Sequence, residues 1–135
     1  MKKIMITGAG SGLGKGTAIG LAKKGHHVIA GVQVWEQKSK LLEEIKKHKL
    51  EDHIKIIKLD ILNDLDCHSA LDCDIDILVN NAGIGHSGPV GEMPVGLIRE
   101  VMETNVFSTL QFSQPFIREM VKKGKGKVVF VSSVA

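Results

Sequence analysis

The chain has 135 residues, 43% of them hydrophobic and 24% charged, with a formal net charge of +3. That length suits one domain around one core of ordinary size, and that mixture excludes a disordered chain and a membrane-embedded one. The lysines are densest at 122–127, where KKGKGK alternates charge with glycine as a solvated loop does, and aromatic residues make up 4%, too few to stack on bases, so nucleic acid is not an expected partner.

The opening MKKIMITGAG has the basic start of a signal peptide, but its apolar run stops at Ile6, too short for an h-region. No stretch approaches the roughly 20 apolar residues of a membrane helix, and a cytoplasmic protein is expected. Residues 4–7 read instead as the first of five strand-length apolar runs, the others being 28–32, 54–59, 75–79 and 128–131. Most are too continuous to form the alternating face of a solvated sheet, so each is expected to be buried on both sides.

The first strand runs into Thr7-Gly8-Ala9-Gly10-Ser11-Gly12-Leu13-Gly14, and a helical pattern over 13–24 follows, stopped by Gly25. Glycine spacing alone would serve any tight turn. Between a buried strand and a helix it reads as a dinucleotide site. Without a Cβ on Gly8 or Gly12 the backbone can approach a diphosphate, Gly14 lets the helix close on the sheet, and free N–H groups at the helix start face the anion. Gly16 and Gly20 sit one turn apart inside that helix, at a cost of about 1 kcal/mol each relative to alanine; nothing in the sequence accounts for them.

The second strand ends Gly31-Val32-Gln33. An acid in this place commonly binds the adenosine ribose hydroxyls. Gln33 leaves room for a 2′-phosphate, which favours NADP over NAD, yet no arginine stands beside it, and Lys15 and Lys38 are the candidate cations. A helix over 36–49 carries Leu41, Leu42 and Ile45 at helical spacing. Residues 63–74 are short for a crossover helix and allow one or two turns. From 94 to 123 the pattern makes two consecutive helices, divided near 104–107, with Pro115 kinking the second. Gly124 and Gly126 release the chain into the last strand. Strand alternating with helix across short connections gives an α/β fold, a doubly wound parallel sheet covered on both faces.

Cys67 and Cys73 form no Cys-x-x-Cys pair and read as free thiols of a reducing compartment. Six histidines are scattered without metal-ligand spacing, so no metal is expected.

TGAGSGLG at 7–14, LD at 59–60, NNAG at 80–83, TN at 104–105 and VSS at 131–133 resemble, in order and spacing and across the whole chain, the short-chain dehydrogenase/reductase family. The resemblance implies a single Rossmann-like NAD(P)-binding domain over 1–135, its parallel sheet incomplete at about five strands in the order 3-2-1-4-5. It implies an oxidoreductase that moves hydride between NADP or NAD and a small-molecule carbonyl or secondary alcohol, working as a homo-oligomer. Gly8, Ser11, Gly12, Leu13 and Gly14 would hold the pyrophosphate, Gln33 would lie at the adenosine ribose, Asp60 and Ile61 would line the adenine pocket, and Asn81, Ala82 and Gly83 would sit by the nicotinamide-side ribose.

Taken without the family, Asp60 is a strand-end turn former, the NNAG amides can tie neighbouring strands, and Asn105 is a cap between two helices. The resemblance makes Asn105 the active-site asparagine that holds a helix kink and a water of the proton relay. It makes Ser133, rather than its neighbour Ser132, the serine that hydrogen-bonds the substrate carbonyl.

One departure bears on the chemistry. In the family a tyrosine protonates the forming alkoxide, with a lysine one helical turn later, and that Tyr-x-x-x-Lys motif follows the serine; this sequence contains no tyrosine. His86, after NNAGIG, could approach the substrate side, but no histidine lies next to the serine in sequence. The expectation is therefore the cofactor-binding front part of a longer reductase, truncated before Tyr-x-x-x-Lys and inactive alone. The alternative is a non-catalytic dinucleotide-binding module that lost its acid/base residues. In the family 105–123 packs beside the helix carrying the tyrosine, so Phe107, Leu110, Phe116 and Ile117 are expected to lose cover and to favour self-association.

Overall fold

A computed structural model describes residues 1–134. Five parallel strands, β1 (Lys3–Ile6), β2 (His27–Val32), β3 (Ile54–Lys58), β4 (Ile77–Asn80) and β5 (Lys127–Phe130), form one sheet among the described residues, in the order β3-β2-β1-β4-β5. The chain leaves β1 outward through α1 (Gly12–Lys23), β2 and α2 (Glu36–Lys47) to β3. It returns through α3 (Asp64–Ala70) to β4 on the other side of β1, and through α4 (Val95–Met102) and α5 (Thr109–Lys123) to β5. That reversal beside β1 opens a crevice at the carboxyl ends of the strands.

Alternation along the central strands divides the interior into two layers. Ile4 and Ile6 of β1, with Val28, Ala30 and Val32 of β2, pack on Ala18 of α1 and on Leu41 and Ile45 of α2. Met5, Ile29 and Leu78 point the other way, onto Ala70, Phe112, Phe116 and Met120. Successive residues of one strand thus feed opposite cores, which is why these runs carry no polar alternation.

Burial on both sides holds for β1 and β2 and fails at β5, where Val129 is 38% and Phe130 53% exposed. An apolar run is covered twice only where a strand has neighbours on both edges and helices on both faces, and β5 bonds to β4 alone. The expectation for the last helix is corrected in one place. Phe116 is buried against Phe112 with ring centroids 5.2 Å apart, whereas Phe107 and Leu110 are exposed and Ile117 is half-buried.

The division expected near 104–107 is present, but as a π-helical segment, Glu103–Ser108, that joins α4 to α5 without a break. The Thr109 hydroxyl donates to the Thr104 carbonyl at 2.9 Å across the widened turn. Such segments insert a residue into a helix and recur at functional sites. Pro115 stands inside α5. The short crossover segment makes the two turns of α3, whose start is capped by Asn63 Oδ1 accepting from Asp66 N–H at 3.0 Å. No described helix is long and apolar enough to cross a membrane.

Candidate functional site

The turn after β1 and the loop after β4 are fastened together. Thr7 is buried, and its Oγ1 accepts the backbone N–H groups of Asn81 at 3.0 Å and Ala82 at 2.9 Å. In return Asn81 Nδ2 donates to the carbonyls of Thr7 at 3.2 Å and Gly8 at 3.1 Å. Gly8 has φ +64°, and a Cβ there would lie 2.9 Å from Ala82 Cα. A Cβ on Gly14 would collide with the Gly8 carbonyl, so α1 rests directly on the turn.

The same packing leaves the helix start open. Ser11 stands at the N-cap without a side-chain cap bond, the first turn has no acidic residue, and the N–H groups of Gly12, Leu13 and Gly14 have no backbone partner among the described residues. Nothing lies within 4 Å of a Cβ placed on Gly12. Unpaired donors at the positive end of a helix, under open space, suit an anion.

A cleft of about 270 Å³ continues from this turn along the carboxyl ends of β2, β3 and β4. Of the residues singled out from the sequence, Gly8, Ser11, Gln33, Asp60, Ile61, Asn81, Ala82 and Gly83 line it. Gly12, Leu13 and Gly14 lie outside its walls, beyond Ser11, and Leu13 is 79% exposed. Leu59 and Thr104, quoted in the LD and TN motifs without a site role, also line it, as do Leu62, Ile84, Gln37 and Glu100, which were not foreseen. Gln37 could have been found from its spacing, four residues after Gln33 at a helix start; its Oε1 accepts Gln33 N–H at 3.1 Å. Lys38, a candidate for the 2′-phosphate, has its ammonium 4.9 Å above the centre of the Trp35 ring.

The wall at the end of β3 is an ordered turn. Asp60 Oδ1 accepts Leu62 N–H at 3.0 Å, as the turn reading expects. Asp66 Oδ2 accepts the Asp60 N–H at 2.9 Å and the Lys58 ammonium at 2.6 Å. Burial by itself would raise the Asp66 pKa, but the Lys58 ammonium and the Asp60 N–H together hold it below the usual carboxylate range. Close by, burial and the carboxylates of Asp64, Asp66 and Asp60 push the Cys67 thiol up to about 11. That thiol is no nucleophile at neutral pH.

At the other end of the cleft, Asn105 sits in the π-helical segment and pairs both ends of its amide with one residue. Oδ1 accepts Ile84 N–H at 2.8 Å, and Nδ2 donates to the Ile84 carbonyl at 2.7 Å. Asn105 therefore ties the π segment to the loop after β4; it is not capping a helix. Ser133 lies two residues beyond Val131, whose N–H donates to the Asn80 carbonyl at 3.0 Å, so the chain carries it past the carboxyl edge of β5. It is not part of the cleft wall. His86 faces Glu100, a cleft residue, at 3.7 Å. No group of three or more His, Cys, Asp or Glu among the described residues is arranged to hold a metal ion. A larger groove of about 390 Å³ lies at the amino edge of the sheet, between the residues after α3 and α5, away from the glycine turn.

The family model for short chain dehydrogenases matches residues 2–135. Estradiol 17-beta-dehydrogenase 2 of Mus musculus is 33% identical over 98% of this chain and 36% of its own length. The 7alpha-hydroxysteroid dehydrogenase of Escherichia coli is 34% identical over 99% of this chain and 54% of its own. The closed form of serine dehydrogenase complexed with NADP+ superposes with a TM-score of 0.85 at 28% identity, over 98% of this chain and 54% of that one. The bulky-bulky ketone specific alcohol dehydrogenase of Comamonas testosteroni gives 0.84 at 26% identity, over 99% and 55%. The chain spans about half, or less, of the length of these relatives.

Proposed function

The chain belongs to the short-chain dehydrogenase family, an oxidoreductase family, and on that premise we propose that its cleft binds NADP or NAD and serves hydride transfer to or from a small-molecule carbonyl or secondary alcohol. The observation that carries this reading is the turn locked by Thr7 and Asn81, which holds the donors of Gly12, Leu13 and Gly14 over open space at the switch point of the sheet. The residues present fit the group. Three N–H groups of the first turn of α1 would hold the diphosphate, Asp60 and Ile61 would flank the adenine, and Ala82 and Gly83 would lie along the nicotinamide-side ribose. When bound, the dinucleotide supplies or accepts the hydride.

The chain's own residues orient and polarise. Asn105 holds the Ile84 loop at the nicotinamide end, and the Ser133 hydroxyl donates to the substrate oxygen. The proton for a forming alkoxide comes in this family from the tyrosine of Tyr-x-x-x-Lys; with no tyrosine in the sequence, we propose that this chain binds the dinucleotide and does not turn it over alone. Gln33 in place of an acid favours NADP, and the NADP+ complex of a structural neighbour supports the same choice. Two free cysteines suit the reducing cytoplasm.

Titration with NADPH and with NADH, followed through the emission of Trp35, tests this. Saturable quenching with NADPH the tighter ligand is expected, with a melting temperature that rises as ligand exceeds Kd, the stabilisation being about 2.7 kcal/mol at a hundredfold excess. Absence of binding by both would overturn the proposal.

A further inference from the structure

Resting on the dinucleotide reading above, we propose that Asp66 is a positioning residue for the adenosine end of the cleft, with Lys58 as its counterion. The wall Asp60–Ile61–Leu62 follows an edge strand, and the short helix α3 is the element that follows it. One carboxylate oxygen joins them. Asp66 Oδ2 receives the Asp60 N–H at 2.9 Å and the Lys58 ammonium at 2.6 Å, so it gathers the last residue of β3, the first residue of the wall and the first turn of α3 at one point.

The carboxylate is itself held. Asn63 Oδ1 accepts Asp66 N–H at 3.0 Å, and Asn63 N–H donates to the Asp60 carbonyl at 2.9 Å. The Asp66 side chain is 17% and the Lys58 side chain 28% exposed, which places the pair between surface and interior, where a charged acceptor outweighs a neutral one. Neither residue lines the cleft. Asp66 therefore acts through the Asp60 backbone: it fixes where that N–H points and with it where the Asp60 carboxylate and the Ile61 side chain stand. Lys58 neutralises a carboxylate that would otherwise repel an incoming phosphate.

Four chains test this, the wild type, Asp66→Ala, Asp66→Asn and Lys58→Met, each titrated with NADPH, with adenosine 2′,5′-bisphosphate and with reduced nicotinamide mononucleotide. Asp66→Ala is expected to weaken NADPH and the adenosine bisphosphate about tenfold, the loss of one charge-assisted hydrogen bond, and to leave the mononucleotide within about twofold, as for a site beyond direct coupling. Asp66→Asn keeps an oxygen for the Asp60 N–H without the charge and should restore part of the affinity, with slower amide exchange at Asp60 than in Asp66→Ala.

Wild-type binding that Asp66→Ala leaves unchanged, or that falls equally for both halves of the ligand, overturns the positioning role, as does an Asp66→Asn chain no better than Asp66→Ala. A wild type that binds none of the three overturns the dinucleotide reading itself and the role with it.

Discussion

Thr7 joins two segments more than seventy positions apart in the sequence, through one hydroxyl oxygen that receives two N–H groups. Thr7→Val keeps the shape and removes the acceptor at a buried position, leaving two half-buried donors unpaired. A loss of about 2–3 kcal/mol is expected from urea unfolding, and a loss under about 0.5 kcal/mol would contradict the fastening role. Gly14→Ala drives a methyl into the Gly8 carbonyl; overpacking of this kind costs about 1–3 kcal/mol, and with the turn displaced NADPH affinity should fall as well. Asp66 gives a pH signature. Its folded pKa lies below the unfolded value, so its contribution is present in full above the ordinary carboxylate pKa and is lost as pH falls through the lowered one. Asp66→Asn should flatten that acid limb of the stability curve, and an unchanged limb would refute the pairing. The glycine turn was legible in the sequence because glycine advertises its geometry. The Asp66 contacts were not, because a carboxylate in a short helix looks the same whether it faces solvent or a backbone N–H.

At the scale of elements, α1 carries an anomaly that its surroundings do not remove. Gly16 and Gly20 are exposed, and a Cβ on either meets nothing within 4 Å, so no close approach requires them. Alanine at either position is expected to stabilise the chain by about 1 kcal/mol, read as a higher melting temperature; destabilisation would show that these glycines serve a contact absent from the folded monomer. The strands and helices were legible to within a residue or two, because apolar runs of strand length alternate with helical patterns. The kind of junction between α4 and α5 was not. Sequence pattern marks where helical periodicity slips but not whether the slip is a break or a π turn, and here the Asn105 amide on Ile84 and the Thr109 hydroxyl on Thr104 accompany the π turn.

For the whole molecule, right-handed crossovers made the parallel sheet legible, whereas the order β3-β2-β1-β4-β5 was legible only through the resemblance to the family. The exposure of Phe107 and Leu110 was legible through the resemblance, but that of β5 was not, since apolar runs look alike whether a strand ends up central or at an edge. That rim shapes behaviour in solution. Val106, Phe107 and Leu110 are each more than 40% exposed, and β5 presents Val129 and Phe130 on an open edge. Concentration-dependent association in sedimentation is the expected outcome, reduced by Phe107→Glu; a monomer unaffected by concentration would contradict it.

The central claim is that the carboxyl-end cleft holds a nicotinamide dinucleotide, and an amide chemical-shift titration of this chain with NADPH tests it most directly. Saturable shifts are expected at four segments, 8–14, 33–37, 60–62 and 81–84, with the Gly12, Leu13 and Gly14 amides moving furthest as they meet the diphosphate. Shifts confined to the amino-edge groove around 71–75 and 115–123, or no shifts at all, would contradict it.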